Sequence, residues 1–190
     1  MKLERILPFA RQLLVQAVGA GDIAVDGTLG NGHDTKFLAE LVGETGMVFG
    51  FDIQEEAIAA TTTRLQESGL KERATLYHQG HEHILYCIPP HYHGQIRGAI
   101  FNLGYLPGGD KSIVTTATTT IAAVEQLLDL MAPEGIIVLV IYHGHEEGAR
   151  ERDELLQYVK HLDQQRAHVL QYQFINQVNN PPFIIAIEKR

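Results

Sequence analysis

The stretch Val25-Asp26-Gly27-Thr28-Leu29-Gly30-Asn31-Gly32-His33-Asp34-Thr35 decides the fold. It runs from a short apolar segment ending in an acid, through a glycine-rich turn, into a helical pattern. A second apolar run, Phe49-Gly50-Phe51-Asp52-Ile53-Gln54, follows and also ends in an acid. This order of strand, glycine turn, helix and second acidic strand end is typical of α/β sheets that bind nucleosides. We therefore predict a nucleoside pocket that includes Asp26, Gly30 and Asp52.

The rest of the chain alternates between strand and helix patterns. Strands are predicted at 23–26, 47–53, 74–78, 96–102 and 135–142, and helices at 4–18, 34–41, 55–66, 113–131 and 147–162. Such alternation indicates parallel strands joined by right-handed crossovers. The last predicted strands, 167–175 and 183–189, lie too close together for a crossover helix and should pair antiparallel. We predict one domain over 1–190, a Rossmann-like α/β fold whose seven-stranded, mostly parallel sheet ends in an antiparallel hairpin, with helices on both faces.

Composition excludes several other classes of protein. The chain has 190 residues and 45% hydrophobic content, which suffices for one sizeable core. Its lone cysteine, Cys87, cannot form an internal disulfide, and no apolar run reaches the roughly 18 residues that span a bilayer. We therefore expect a cytoplasmic location and no membrane partner. The net charge of −8 counts against a broad nucleic-acid surface but leaves room for a local basic patch.

The glycine turn also distinguishes between two cofactors. Asp34 stands where the pyrophosphate of a nicotinamide dinucleotide would lie, and a carboxylate there would repel the phosphates. The same carboxylate tolerates the ammonium group of a methionine. Thr35 occupies the position where the dinucleotide fingerprint needs glycine or alanine. The turn therefore favours S-adenosylmethionine over NAD.

Three residues beyond the turn are candidate contacts to the nucleoside. Asp52 is predicted to accept hydrogen bonds from the ribose hydroxyls, although an N-cap on the helix that starts near Glu55 would explain the same acid. Gln54 is a candidate for the sugar or the adenine. His81, after the third predicted strand, is a candidate purine contact, and a helix-capping turn explains it about as well.

The fourth predicted strand ends in Phe101-Asn102-Leu103-Gly104-Tyr105. Amino-methyltransferases carry an Asn-Pro-Pro-Tyr type of motif there, in which an amide oxygen accepts a hydrogen bond from the target nitrogen and an aromatic ring packs on the substrate. Asn102 and Tyr105 are therefore candidate catalytic residues for methyl transfer to an amine. The alternative is a strand-end turn in which Asn102 bonds its own backbone. Lys111, in the glycine-rich loop that follows, is a candidate phosphate contact.

The ten histidines raise the alternative of a metal site. They lie in separate loops, and a single cysteine cannot form a thiolate cluster, so we expect no metal. His143 and His145 follow the fifth predicted strand at the same rim as Asn102. Because ligands bind at this rim in open α/β sheets, both are candidate acceptors of the proton that the amine loses.

Together these motifs resemble the small class I methyltransferases known as rRNA methylases, over essentially the full chain. The resemblance rests on Asp26–Thr35, Gly50–Gln54, Phe101–Lys111 and Tyr142–His145. It implies S-adenosylmethionine-dependent methylation of 5-aminomethyl-(2-thio)uridine at the wobble position of tRNA. It also implies two sets of site residues. The cofactor set is Asn31, His33, Asp52, Gln54 and His81, and the set facing the wobble nucleotide of the anticodon stem-loop is Asn102, Tyr105, Lys111, Tyr142 and His145.

Other functions remain open at this level. The same fold methylates rRNA bases and small-molecule amines, and a non-catalytic RNA-binding module would retain a similar pocket. The presence of Asn31, Asp52 and Asn102 argues against such a loss of catalysis. The sequence leaves open whether the chain forms a homodimer.

Overall fold

The computed structural model describes residues 2–104, 114–144 and 146–190. Its centre is one seven-stranded sheet. The strands are β1 (Ile23–Asp26), β2 (Met47–Asp52), β3 (Ala74–His78), β4 (Ile96–Leu103), β5 (Met131–Ile141), β6 (Ala167–Tyr172) and β7 (Phe183–Lys189). Their order is β3-β2-β1-β4-β5-β7-β6. The first five strands are parallel, whereas β7 runs antiparallel to both β5 and β6. The predicted fold class, including its C-terminal hairpin, is confirmed.

Helices cover both faces of the sheet. They are α1 (Ile6–Ala17), α2 (His33–Val42), α3 (Glu55–Glu67), α4 (Ile84–Cys87), α5 (Ala117–Leu130) and α6 (Glu146–Lys160). Side chains of β5 alternate between two cores: Leu139 belongs to the core under α4, α5 and α6, and Val138 belongs to the core under α1, α2 and α3. A strand buried on both faces is apolar at every position, which explains the continuous apolar run in β5. Within the described ranges, no helix is long and apolar enough to cross a bilayer.

The predicted elements differ from the observed ones mainly at their ends. The strand predicted at 135–142 begins earlier, at Met131, because Met131 pairs with Ile96 before an irregularity in the β4–β5 register. Glu134 lies in that irregularity with a φ of 65°. The strand predicted at 167–175 ends at Tyr172, where pairing with β7 stops. Pairing with a neighbouring strand, rather than hydrophobic pattern alone, sets these limits.

The parallel strands bring several predicted site residues to one edge. Asp26 pairs in register with Ile100 of β4, and Asn102 is two residues further along that strand. Asp52 is the last residue of the neighbouring β2. The chain leaves β1 for β2 and β3 on one side and returns to β4 on the other. The carboxyl ends of β1 and β4 therefore form a topological switch point, where open α/β sheets bind ligands.

Candidate active site

A buried carboxylate and a close backbone contact shape the glycine turn after β1. Asp26 accepts hydrogen bonds from the backbone N–H of Thr28 at 3.1 Å and from the hydroxyl of Thr35 at 2.6 Å. A Cβ at Gly27 would lie 2.0 Å from the ring of Phe101. Any larger residue at position 27 would therefore push the turn away from β4.

Asp26 itself lies beneath the turn and is fully buried. It is not among the residues that line the cleft described below. Burial, reinforced by the charge of Asp34, raises the pKa of Asp26 to about 7. The structure therefore gives Asp26 a part in shaping the pocket from below, and its predicted contact with the cofactor stays a prediction.

Asp52 connects the turn to the start of α3. Its carboxylate accepts hydrogen bonds from the backbone N–H of Gly30 at 3.1 Å and of Gln54 at 3.0 Å. Gly30 has a φ of 52°, a conformation that glycine adopts without strain. The N-cap of α3 is Gln54, without a side-chain cap, so Asp52 does not cap this helix. Each carboxylate oxygen has more than one acceptor position, and Asp52 can therefore still bind hydroxyl groups.

A cleft of about 320 Å³ lies at the carboxyl edge of the sheet. The structure brings five predicted site residues to its wall, namely Gly30, Asp52, Gln54, His81 and Asn102. Asp52 and Asn102 come from β2 and β4, on opposite sides of β1. A nucleoside held by Asp52 and a group held by Asn102 would therefore share one cavity.

Other predicted site residues lie elsewhere. Asn31 and His33 are exposed, and neither lines the cleft. Arg64 of α3 bonds the carbonyl oxygen of Asn31 at 2.6 Å and approaches Nε2 of His33 at 3.4 Å. Their contacts with a cofactor stay predictions. The candidates Tyr105, Lys111 and His145 lie outside the described residues.

His81 provides the test of whether the cleft fits a nucleoside cofactor. Its Nδ1 lies 2.9 Å from the carbonyl oxygen of Gly27, which can only accept, so Nδ1 carries the proton. Nε2 is then an acceptor, and it is buried without a partner among the described residues. Burial lowers the pKa of His81 and keeps the ring neutral. A buried acceptor at a cleft wall fits a ligand with a hydrogen-bond donor, such as the amino group of adenine or a ribose hydroxyl.

An apolar wall completes this fit. Ile53 lines the cleft and is 57% exposed. It follows Asp52 directly, and a base lying beside the bound ribose would cover its side chain. Gly27 and Gly30 also line the cleft and leave room for close approach of a ligand to the backbone. The residues present therefore fit S-adenosylmethionine.

Asn102 is held at both its backbone and its side chain. Its backbone N–H donates to the hydroxyl oxygen of Thr28 at 2.7 Å. Its side-chain Nδ2 donates to Oδ2 of Asp34 at 2.9 Å, while Oδ1 of Asp34 accepts from Nη2 of Arg11 at 2.9 Å. The side chain of Asn102 therefore bonds Asp34. In the alternative, a simple strand-end turn, it would bond its own backbone.

Tyr142 lies on the same side of the site. Its backbone N–H bonds the carbonyl oxygen of Leu103, and its side chain is partly exposed, at 38%. Burial and, to a smaller extent, the charge of Asp34 raise the pKa of Tyr142. The phenol is therefore neutral at physiological pH and can donate a hydrogen bond. Its predicted contact with substrate stays a prediction.

His143 does not fit the predicted role of proton acceptor. Its Nε2 lies 3.0 Å from the carbonyl oxygen of Pro181, which fixes a proton on Nε2. Its Nδ1 lies 3.2 Å from Nη1 of Arg152, which can only donate. Both ring nitrogens are thus engaged, and the ring is buried against Phe183. The sequence could not reveal this, because Pro181 lies far away along the chain.

Two features of the site were missed from the sequence. Asp34 was considered only for its effect on the cofactor, yet it bonds the side chain of Asn102. Thr115, Thr116 and Thr119 line the cleft after the glycine-rich loop. A run of threonines there carries no motif signal. Among the described residues, no group of three His, Cys, Asp or Glu could hold a metal ion.

Comparisons with known proteins agree with this architecture. The family model described as "Putative rRNA methylase" matches residues 48–188. A crystal structure named as a putative rRNA-methylase from Clostridium thermocellum has 43% identity and a TM-score of 0.96, and the match covers 100% of both chains. SMU.1697c, named as a putative methyltransferase from Streptococcus mutans in complex with SAH, has 37% identity and a TM-score of 0.89 over 99% of both chains.

A curated relative carries a more specific name. The tRNA (mnm(5)s(2)U34)-methyltransferase, chloroplastic, of Arabidopsis thaliana is 38% identical over 144 residues. The match covers 72% of this chain and 52% of that protein, so the chain spans about half the length of this relative. The family match covers most of the chain, and it confirms the resemblance and the methyltransferase class predicted from the sequence. The chain belongs to the rRNA methylase family of class I methyltransferases.

Proposed function

We propose that the chain is an S-adenosylmethionine-dependent N-methyltransferase whose acceptor is the aminomethyl group of the wobble uridine in tRNA. The product is the methylaminomethyl nucleoside. The observation that carries the proposal is that Asp52 and Asn102 line one cleft. The name of the Arabidopsis relative, a tRNA (mnm(5)s(2)U34)-methyltransferase, supports the choice of acceptor.

The residues of one half of the cleft bind the nucleoside part of the cofactor. Asp52 accepts from ribose hydroxyls, Nε2 of His81 accepts from a ligand donor, and Ile53 packs against the base. When bound, S-adenosylmethionine supplies a methyl group already activated by its sulfonium. Because the donor is activated, the protein contributes mainly by positioning the acceptor.

Asn102 orients the acceptor. The carbonyl oxygen of its side chain accepts a hydrogen bond from an amine N–H, which turns the nitrogen lone pair toward the methyl group. An ammonium ion has no lone pair, so the amine must lose a proton before it reacts. A partly enclosed cleft disfavours the charged amine and lowers its pKa toward neutrality. Asn102 and the cleft wall thus select the neutral amine in one orientation.

The direct test uses purified protein and labelled S-adenosylmethionine. One tRNA sample carries the aminomethyl group at the wobble uridine, and a matched sample lacks it. We expect label only in the first sample, recovered as methylaminomethyluridine by nucleoside mass spectrometry. Equal labelling of both samples, or none, would contradict the proposal.

Further samples separate the alternative acceptors. Ribosomal RNA and the free aminomethyl nucleoside are assayed beside the tRNA. Preferential labelling of rRNA would replace the tRNA acceptor by an rRNA base. Equal kcat/KM on the free nucleoside would indicate a small-molecule amine methyltransferase. An Asn102→Ala variant should lose methyl transfer while still binding S-adenosylhomocysteine in calorimetry.

We also propose that this activity resides in the cytoplasm. Cys87 is partly buried and free, as is usual for proteins of reducing compartments. The Arabidopsis relative, by contrast, is named as chloroplastic. Fractionation of the native host with an antibody to this chain should place it in the soluble fraction, and recovery with an organelle or a membrane would contradict the proposal.

A further inference from the structure

We propose that Asp34 is a positioning residue for methyl transfer, which holds the side-chain amide of Asn102 so that its carbonyl oxygen faces the amine. The inference rests on the proposed function and adds a residue to it. Asp34 lies in the first turn of α2, whereas Asn102 lies near the end of β4. The two are 68 residues apart in the chain.

The chemistry of the two groups determines the orientation of the amide. An ionised carboxylate can only accept hydrogen bonds, and the asparagine amide donates only through Nδ2. The 2.9 Å contact between Oδ2 of Asp34 and the Asn102 amide must therefore involve Nδ2. Oδ1 of Asn102 then points away from Asp34, and no described residue donates a hydrogen bond to it. Because Asn102 lines the cleft, this oxygen is available to an amine N–H.

Arg11 keeps Asp34 in place and balances its charge. Nη2 of Arg11 donates to Oδ1 of Asp34 at 2.9 Å, and the guanidinium lies 5.1 Å from the ring centroid of Phe37. Asp34 also occupies the helix N-terminus, where a carboxylate is stabilised by the helix dipole. Oδ1 is thus directed to Arg11, which leaves Oδ2 for Asn102.

The backbone of Asn102 is also held in place, so the bond from Asp34 has only the rotation of the side chain to restrict. Thr28 holds the backbone N–H of Asn102 at 2.7 Å, so the Cα position is set by the glycine turn. The remaining freedom is rotation of the side chain, including exchange of Oδ1 and Nδ2. Without Asp34 both amide orientations are open, and one of them presents a donor to an amine that needs an acceptor. Asp34 removes this second orientation.

The main test measures kcat and KM separately for Asp34→Ala and the isosteric Asp34→Asn. We expect kcat for methylation of aminomethyl-tRNA to fall about 10- to 100-fold in Asp34→Ala, the effect of losing one hydrogen bond to a charged group. KM for tRNA and the Kd for S-adenosylhomocysteine should change less than threefold. Asp34→Asn should lie between, because an amide presents either an oxygen or an NH₂ group to Asn102.

Glu40 provides the matched control. It lies on the same helix, α2, and pairs with Lys36 on the solvent side. Glu40→Ala and Glu40→Gln should leave kcat and the Kd for S-adenosylhomocysteine unchanged. A similar loss of kcat in the Glu40 variants would show that α2 is merely destabilised and would overturn the inference.

A double-mutant cycle tests whether Asp34 acts through Asn102. In an Asn102→Ala background, Asp34→Ala should lower the residual rate less than twofold. Fully additive losses would mean that Asp34 acts on cofactor or substrate directly, which would overturn the positioning role. If the unaltered protein does not methylate aminomethyl-tRNA, the proposed function fails and the cycle has no signal.

A measurement without substrate keeps the inference testable in that case. The side-chain amide of Asn102 is assigned in NMR spectra by its loss in Asn102→Ala. We expect slow exchange with solvent and a downfield Nδ2 proton in the unaltered protein and in Glu40→Gln, and loss of both in Asp34→Ala. An unchanged amide signal in Asp34→Ala would overturn the inference.

Discussion

Asp26, Asp34 and Asp52 surround one glycine turn, and each has different partners. Asp26 is fully buried and accepts from the neutral donors of Thr28 and Thr35, whereas Asp34 has the cationic partner Arg11. Asp52 accepts two backbone N–H groups and borders the cleft. Burial beside neutral donors disfavours ionisation and raises the pKa of Asp26 to about 7. Residue type by itself therefore does not determine the charge at this edge.

Asp26→Asn should flatten the dependence of stability on pH. The unfolded chain loses the Asp26 proton near pH 3.8, whereas the folded chain keeps it until about pH 7. The folded state binds more protons in this range, so the free energy of unfolding should fall as the pH rises from 4 to 7. Asparagine keeps an oxygen for the N–H of Thr28, and the hydroxyl of Thr35 can accept from the new NH₂ group. Urea unfolding at pH 5, 6, 7 and 8 measures the effect.

Asp26→Asn should be more stable than the unaltered protein at pH 8, by on the order of 1 kcal/mol or more, since one unit of pKa shift is worth about 1.4 kcal/mol. Glu44→Gln is the control, because Glu44 has a side chain that is 90% exposed. Its stability curve should follow that of the unaltered protein. Parallel curves for Asp26→Asn and the unaltered protein would contradict the raised pKa.

His81→Phe should weaken cofactor binding while keeping most of the ring packing. Phenylalanine fills a similar space beside Phe101, whose ring lies 5.3 Å away between centroids, but it has neither the acceptor for a ligand donor nor the donor that bonds Gly27. We expect the Kd for S-adenosylhomocysteine to rise at least about tenfold, because the hydrogen bond to the ligand and the bond to the glycine turn are both lost. Calorimetry measures the change. His83→Phe, on the same turn but half exposed, is the control and should bind normally.

At the scale of elements, a hydrogen-bonded cluster connects the end of β4 with α5 and α6. The hydroxyl of Thr115 accepts from the backbone N–H of Gly104 at 2.9 Å and donates to Glu151 at 2.6 Å. The hydroxyl of Thr120 donates to the other carboxylate oxygen of Glu151 at 2.9 Å. Gly104 and Thr115 flank the stretch that contains Tyr105. Glu151 therefore holds both flanks of a predicted catalytic residue.

Glu151→Ala should affect stability and catalysis together. Glu151 is only 3% exposed, and its loss leaves the buried hydroxyl of Thr120 and the partly buried hydroxyl of Thr115 without their acceptor. We expect the free energy of unfolding to fall by about 2 kcal/mol. We also expect kcat to fall more than tenfold at a temperature where the variant remains folded. Denaturant unfolding and the tRNA methylation assay measure the two effects.

The control for this variant is Glu147→Ala, on the same helix but exposed. It should change neither the unfolding free energy nor kcat. If Glu151→Ala lost stability while kcat stayed normal, the cluster would support the fold without positioning the flanks of residue 105.

At the scale of the whole molecule, the charge of the protein opposes that of its proposed substrate. The chain has 15 Lys and Arg against 23 Asp and Glu. Several arginines are also paired with acids, as Arg150 is with Glu146, Arg152 with Asp153 and Arg166 with Glu125. These pairings reduce the positive charge that is available to neutralise phosphates. Recognition should rest on the modified base and a short stretch of backbone.

The salt dependence of methylation tests whether recognition involves only a short stretch of the tRNA backbone. The logarithm of KM for tRNA, plotted against the logarithm of the salt concentration between 50 and 200 mM, should have a slope below about 3, which corresponds to fewer than about four phosphate contacts. A slope of 5 or more would indicate an extended basic interface instead.

Much of the fold and part of the site could be predicted from the sequence. Alternating apolar runs and the glycine turn determine local structure, so β1, β3 and β7 were predicted to the residue. Asp52 and Asn102 follow strand ends, and parallel topology brings all such ends to one edge. By contrast, Arg64 of α3 bonds the backbone carbonyl oxygen of Asn31, and the carbonyl oxygen of Pro181 bonds the ring of His143. Such contacts join distant parts of the chain and have no periodic signal.

The sequence by itself determined the class of fold, the position of the pocket and the type of chemistry, because strand patterns, turn glycines and motif spacing are local properties. Only the tertiary structure decided how the polar groups at that edge are used. It buried Asp26 beside neutral donors, left Nε2 of His81 without a partner among the described residues and joined Asp34 to Asn102. Each outcome depends on burial and on partners that folding brings together. Hydrogen-bond orientation and pKa are therefore properties of the folded environment, not of the residue.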